Sequence, residues 1–323
     1  MSAAPPFPIS HPAFWRAYWI TLRPYLFFVS GTSGLLGLAL GESIAPAVLA
    51  AAFVAFCLSY GLGQALTDVF QTDTDALSSP YRPLVRGEIS KRSVLVVSLL
   101  GLAGCTALFA LLSPFTLVLG GGGVLGLLAY TDAKRRFWAG PFWNSWIVGL
   151  LPAMGLLCAS RSASTVLVHP GLTWAVSATL LGYAVFVLLG YFKDVEADRA
   201  TGYLTLPVRF GRRVSVLVSA VACALSVVCS LLLLRAVGVQ AAVSIGAPLW
   251  LGGTALLLGA HLRILPTTCD EEAHTAIAMA VRGFVLMRLG EVGLLRTDLA
   301  LPALAIYALF ELALTRRPCR EQI

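Results

Sequence analysis

The chain has 323 residues, of which 58% are hydrophobic and only 12% charged, against roughly 25% charged in an ordinary soluble domain. Lys and Arg outnumber Asp and Glu by 23 to 16, a formal net charge of +7. The basic residues are distributed over the connections between apolar runs, which is a pattern of membrane topology and argues against a nucleic-acid partner. Seven cysteines sit mostly inside those runs without CxxC spacing, which argues against a disulfide framework or a zinc site.

Residues 1–24 read as a cytoplasmic or interfacial segment; 1–12 lack the basic start and apolar core of a cleavable signal, so no processing is expected. Apolar runs close to the ~20 residues that cross a bilayer follow near 25–41, 45–66, 92–113, 115–131, 141–160, 171–192, 213–235, 240–262 and 299–316. A further helix at 274–295 carries Arg282, Arg288 and Glu291. It reads either as a tenth span, with Arg288 and Glu291 neutralising each other at i,i+3, or as an amphipathic helix on the membrane surface. The expected fold is therefore an all-α bundle of nine or ten spans forming one transmembrane domain over 25–316, with a short tail at 317–323.

Orientation follows from charge. Arg16 and Arg23, then Arg82, Arg86, Lys91 and Arg92, then Lys134, Arg135 and Arg136, then Lys193, Arg199, Arg209, Arg212 and Arg213 all fall on one face. The opposite connections up to residue 240 contribute only Arg161 and Arg235. By the positive-inside rule the first face is cytoplasmic, in a plasma or inner membrane. Arg316, Arg317 and Arg320 join it if the tenth helix spans.

Two acidic loops lie on that face. The first, within 67–92, reads Thr67-Asp68-Val69-Phe70-Gln71-Thr72-Asp73-Thr74-Asp75 and leads to Tyr81-Arg82-Pro83-Leu84-Val85-Arg86-Gly87. The second, within 191–213, reads Lys193-Asp194-Val195-Glu196-Ala197-Asp198-Arg199 and leads to Leu206-Pro207-Val208-Arg209-Phe210-Gly211. Carboxylates at a membrane are costly unless paired or metal-bound. Beside arginines they suit magnesium carrying a phosphorylated ligand, with the acids on the ion and the guanidinium groups on phosphate oxygens. Asp194 and Asp198 share a face if the sixth span continues through them, as do Asp68 and Asp75, seven apart. Arg82, Arg86, Lys134, Lys193 and Arg209 are expected to reach the same mouth. The helix–acidic loop–basic turn of 45–92 recurs at 171–213, which suggests two repeats facing one site.

These stretches, with Ser79-Pro80-Tyr81-Arg82-Pro83 and Thr205-Leu206-Pro207-Val208-Arg209-Phe210-Gly211, resemble the UbiA superfamily of intramembrane prenyltransferases, whose homogentisate prenyltransferases and chlorophyll synthases have similar signatures. The resemblance spans roughly residues 20–265. It implies a helical bundle around a lipid-accessible cavity, a cytoplasmic cap of loops, and Mg2+-dependent use of an isoprenyl diphosphate. Its first motif, Asn-xxx-Asp-xxx-Asp, falls on Thr67, Gln71 and Asp75, of which only the last acid is kept. The second, Asp-xxx-Asp, falls on Asp194 and Asp198. The segment from Tyr130 to Arg135 corresponds to one that contributes a tyrosine and a lysine, here Tyr130 and Lys134.

On this reading Asp68, Asp75, Asp194 and Asp198 hold the metal, while Thr67, Gln71 and the five basic residues hold the diphosphate. The first half-site uses Asp75 with Asp68 recruited. Loss of diphosphate leaves an allylic cation that aromatic faces can stabilise by ~0.5–2 kcal/mol each; the candidates are Phe27, Phe28, Tyr60, Phe70, Tyr130, Trp143, Trp146, Tyr183 and Phe186, with Tyr130 favoured. The implied reaction is prenyl transfer to an aromatic or other lipophilic acceptor. A terpene cyclase needing no acceptor is the alternative, and an ion-coupled transporter is disfavoured, because transporters hold ions near the bilayer midplane.

Overall fold

The computed structural model describes residues 5–41, 45–160, 163–239 and 244–318. Arg161, Arg320, Cys319 and most of the 317–323 tail lie outside the described residues. Helices form almost everywhere, in the order α1 Pro12–Leu22, α2 Phe27–Leu40, α3 Pro46–Asp68, α4 Thr72–Ser78, α5 Lys91–Leu112, α6 Thr116–Arg136, α7 Gly140–Gly149, α8 Leu151–Ser160, α9 Ala163–Leu167, α10 Leu172–Gly190, α11 Val195–Ala200, α12 Leu206–Ala236, α13 Gly246–Ile264, α14 His274–Leu295 and α15 Ala300–Thr315. The apolar runs read from the sequence coincide with helices. Among the described residues seven stretches are long and apolar enough to cross a membrane: 46–68, 91–112, 116–136, 140–160, 172–193, 206–236 and 297–315. That is fewer than the nine or ten expected, because α2 has only 14 residues and α13 and α14 carry polar side chains.

α2 packs against α3 and α8, α3 against α5, α6 against α7, and α7 against α10; α10 packs on α12 and α14, and α14 returns to α2. The order closes a ring whose middle is lined by α3, α5, α6, α7 and α10. Contacts are closest where glycines meet backbone. A Cβ at Gly253 would lie 2.4 Å from the Met287 nitrogen across α13 and α14, and one at Gly37 would lie 2.0 Å from the Pro152 carbonyl oxygen across α2 and α8. Small residues let helices approach in this way where lipid supplies no hydrophobic drive for their association.

α14 is an interior helix, and this removes the surface-helix reading of 274–295. Arg288 and Glu291 are fully buried and pair at 2.9 Å. Arg288 also donates to Thr179 Oγ1 at 3.4 Å, Ser230 donates to Glu291, and Trp250 Nε1 donates to Ser230 at 2.7 Å. The i,i+3 neutralisation expected from the sequence is thus part of a polar network joining α10, α12, α13 and α14. At the rim, Arg282 on α14 pairs with Glu311 on α15 at 2.8 Å.

α1 lies before the first long helix, with Phe14 and Tyr18 buried and Trp15 and Trp19 exposed. It ends at Arg23, whose φ of 52° is the one left-handed non-glycine conformation among the described residues. Such a conformation costs on the order of 1–3 kcal/mol and persists where its surroundings enforce it.

Gly253→Ala should lower the thermal unfolding midpoint in detergent by the equivalent of about 1–3 kcal/mol, since the new methyl meets backbone that cannot rotate away. Gly121→Ala, where a Cβ meets nothing within 4 Å, should be neutral or slightly stabilising in the same assay.

Candidate active site

The long helices break at the two acidic loops. α3 ends at Asp68; Val69–Gln71 turn, and α4 starts at Thr72 with Asp73 and Asp75 in its first turn. α10 ends at Gly190, a 3-10 turn spans Tyr191–Lys193, and α11 starts at Val195 with Glu196 and Asp198 in its first turn. Carboxylates in a first turn complement the positive end of the helix dipole, so acids that disfavour continuing one helix favour starting the next. Asp194 has non-helical φ −122° and ψ 13°. The sixth span therefore does not run through Asp194 and Asp198, and α3 does not run through Asp75. Helical periodicity is not what gathers these acids. α4 and α11 pack against each other, with Thr74 Oγ1 and Thr201 Oγ1 2.8 Å apart, and this brings the two half-sites together.

The result is a polar hollow of about 800 Å³ lined by Arg23, Gln64, Thr67, Asp68, Gln71, Asp75, Arg82, Tyr130, Lys134, Lys193 and Asp194, among others. The cations make direct contacts. Arg82 bridges the first loop, pairing with Asp75 and lying 3.6 Å from Asp68. Arg23 donates to Asp68 Oδ2 at 2.6 Å and to Gln64 Oε1 at 2.5 Å, so its left-handed backbone turns a buried guanidinium into the site. Lys134 Nζ donates to Asp198 Oδ1 at 3.1 Å and lies over the rings of Tyr191 and Tyr203 at 4.8 and 4.9 Å. Lys193 is 3.9 Å from Asp194. Arg86 is exposed and pairs with Glu88, and Arg209 is exposed on the first turn of α12; neither lines the hollow, because the turns that carry them leave the acidic helices.

Two acids of the second loop keep open oxygens. Asp194 Oδ1 and Asp198 Oδ2 are buried without a hydrogen-bond partner. Burial raises the Asp198 carboxyl, against Lys134, to about 6. Burial also opposes ionisation of Asp194, but Lys193, Lys134 and Arg82 outweigh it and hold that carboxyl below its ordinary value. Buried carboxylate oxygens without a hydrogen bond are donors a hard, oxygen-seeking cation takes; Asp194 lines the hollow, whereas Asp198 does not and lies behind Lys134. The first loop is more fully occupied. Asp68 and Asp75 are paired with Arg23 and Arg82, and Asp73 with Arg135; Thr67 Oγ1 donates to the Gln64 carbonyl at 3.0 Å, and Gln71 Nε2 donates to Thr131 Oγ1 at 3.4 Å. Among the described residues no three metal-ligating side chains already converge on one point, so a bound ion would need water or ligand oxygens as well.

A second, apolar hollow of about 700 Å³ adjoins the first, lined by residues including Leu102, Phe109, Leu119, Gly120, Gly123, Leu127, Ile147 and Met154. Tyr60, Gln64, Asn144 and Tyr183 line both. The Tyr60 and Tyr183 hydroxyls are 3.2 Å apart, and Asn144 Nδ2 donates to Tyr183 at 3.4 Å. Of the nine candidate aromatics, Tyr60, Tyr130, Tyr183 and Phe186 face the polar hollow, Tyr130 bonding to Tyr191 at 2.8 Å. Phe70 and Trp143 are exposed, and Phe28 packs on Phe310. Gln64 was not singled out from the sequence. It lies on α3 one turn before Asp68 and facing the same way, and that spacing is the signal that points to it.

A polar, cation-lined hollow adjoins an apolar one within this helical bundle, and the UbiA prenyltransferase family model matches residues 26–279. The chain belongs to that family. It is 27% identical to a digeranylgeranylglyceryl phosphate synthase of Thermococcus gammatolerans over 85% of this chain and 99% of the relative. It is 33% identical to the chloroplastic chlorophyll synthase of Arabidopsis thaliana over 53% of this chain and 45% of that protein. Against the synthase of Natronomonas pharaonis, 29% identical, the match covers 56% of this chain and only 63% of the relative's length. Among solved structures, a UbiA homologue from Aeropyrum pernix aligns with a TM-score of 0.67 at 21% identity, over 82% of this chain and 96% of that one. A homologue from Archaeoglobus fulgidus bound to GPP and Mg2+ aligns at 0.63 and 18%, over 86% and 99%. The fold is that of these UbiA proteins, and the chain is an integral membrane protein.

Lys134→Met should leave Asp198 buried and uncompensated, costing about 3–5 kcal/mol of stability at pH 7.5, measured as unfolding in detergent. Lys134 lowers a carboxyl that burial holds at about 6 even with the lysine present, so its loss raises that carboxyl further; the penalty should shrink as the pH falls towards 5 and the stranded charge is protonated, and Asp198→Asn should rescue the variant.

Proposed function

We propose that the protein transfers the isoprenyl group of an isoprenyl diphosphate to a lipophilic acceptor within the membrane, using Mg2+. The observation that carries this reading is the pair of adjoining hollows. One is lined by acids and cations suited to a diphosphate and its metal; the other is apolar, as a hydrocarbon tail requires. Asp194 and Asp198, with Asp75 and Asp68 opposite, would hold the metal. When bound, it supplies positive charge against the diphosphate oxygens. Arg82, Lys134, Lys193 and Arg23 bind those oxygens and stabilise the charge that develops as the allylic C–O bond breaks. Thr67 and Gln71 stand where the family motif has Asn and Asp; they are polar without charge, and Gln71 can turn its amide to the diphosphate.

The apolar hollow excludes water that would quench the cation, and Tyr60, Tyr130, Tyr183 and Phe186 offer their faces to it. We read the charged face as cytoplasmic, α4, the 79–90 turn and α11 as its cap, and 25–316 as one transmembrane domain. On that reading α2 and α13 also span, and the buried α14 makes the tenth crossing. Relatives named for digeranylgeranylglyceryl phosphate synthesis and a homologue bound to GPP and Mg2+ support the substrate class. The cyclase alternative rests on the altered first motif.

Purified protein in nanodiscs should release diphosphate from geranyl, farnesyl or geranylgeranyl diphosphate only with Mg2+ and a lipophilic acceptor. EDTA should stop the release and added Mg2+ restore it. Hydrocarbon product without acceptor would instead establish the cyclase, and inert diphosphate would refute both. Asp194→Ala and Asp198→Ala should each cut release by about 10²–10³-fold, the scale of losing one electrostatic contact to a transition state. Gln71→Asp should lower the Mg2+ concentration needed for half-maximal rate; an unchanged requirement would count against position 71 facing the ion.

A further inference from the structure

The connection between α13 and α14 packs against the turn that follows α10, and Asp270 is its point of attachment. Asp270 Oδ2 accepts the Glu196 backbone N–H at 2.9 Å, and Asp270 pairs with Arg212. The same guanidinium donates to the Phe192 carbonyl at 3.4 Å and lies over the Phe192 ring at 5.4 Å. Phe192 and Glu196 stand two residues before and two residues after Asp194. One ion pair therefore grips the chain on both sides of a carboxylate whose own Oδ1 has no hydrogen-bond partner. Both members are largely covered, with side-chain exposures of 19% and 14%, and neither lines the polar hollow.

Arg212 reaches this position because the helix that carries it is broken. Gly211 has φ 81° and ψ 167°, splitting α12 after its first turn. A side chain there would be strained, and without the break Arg212 would continue the face set by Leu206–Phe210. Asp194 needs such support because its own segment is only a 3-10 turn followed by a six-residue helix, whose few internal hydrogen bonds do not fix its register against the bundle.

We propose that Asp270 and Arg212 are positioning residues that hold Asp194 for metal binding from outside the site, an inference that rests on the metal reading above. Groups that orient metal ligands typically contribute 10–100-fold in metal affinity or activity. The test uses the full chain in nanodiscs with Mn2+ as probe, its binding followed by electron paramagnetic resonance alongside the thermal unfolding midpoint in EDTA. Asp270→Ala removes both the pair and the acceptor for Glu196. Asp270→Asn keeps an oxygen for the Glu196 N–H and loses the charge, and Arg212→Gln loses the grip on Phe192. Asp270→Ala should weaken Mn2+ binding about 10–100-fold, and Asp270→Asn and Arg212→Gln by less. The midpoint of Asp270→Asn in EDTA should stay near that of the wild type. Wild-type Mn2+ affinity in the alanine variant, or a fall in stability with affinity unchanged in the asparagine variant, would overturn the positioning role alone. Absence of Mn2+ binding by the wild-type protein would overturn the metal reading and this inference with it.

Discussion

The site depends on balancing buried carboxylates against buried cations inside an apolar bundle. Asp68, Asp75 and Asp198 are nearly inaccessible, and so are Arg23 and Lys134. Ions taken from water into such surroundings cost several kcal/mol each unless geometry repays them. Here each acid of the first loop has an arginine, and Asp198 has a lysine. Four cations, Arg23, Arg82, Lys134 and Lys193, line the hollow with three acids, Asp68, Asp75 and Asp194, and Asp198 lies behind Lys134, so the pairing leaves cationic charge available to an anionic ligand.

The two half-sites solve this balance differently. In the first loop arginines pair with Asp68, Asp73 and Asp75, and the residues at the altered motif positions bond to protein partners. In the second, two buried carboxylate oxygens have no hydrogen bond, and Lys193 stands 3.9 Å from one of them, Asp194 Oδ1. That asymmetry follows the chemistry of the substitutions: a threonine and a glutamine bring no charge to compensate, so fewer cations are needed around them and the arginines turn to Asp68 and Asp75. The intramembrane pair Arg288–Glu291 is a separate case. It lies among α10, α12, α13 and α14, away from the hollow, and its partners are hydroxyls and an indole.

Much of the site was legible from residue type and order. The acidic loops marked Asp75, Asp194 and Asp198; of the basic residues that topology put on the same face, Arg82, Lys134 and Lys193 line the polar hollow, as does Tyr130, which the resemblance supplied. Arg86 and Arg209 were not separable from them, because a basic residue near an acidic loop looks the same in sequence whether the turn points it inward or out. Arg23 counted in the sequence only as one charge of that face, and its left-handed backbone places it against Asp68 and Gln64.

Composition and the period of the apolar runs determined that the chain is a helical membrane protein, roughly where its long helices lie, and that the basic residues gather on one side of them, because in lipid the backbone must satisfy itself within each span. Tertiary structure alone decided which acids meet. Asp194 and Asp198 were expected on one continuous helix, and so were Asp68 and Asp75. Both helices break, and the acids converge because α4 packs on α11 and Arg82 reaches across its loop. Such contacts join residues more than a hundred positions apart, and no local spacing records them.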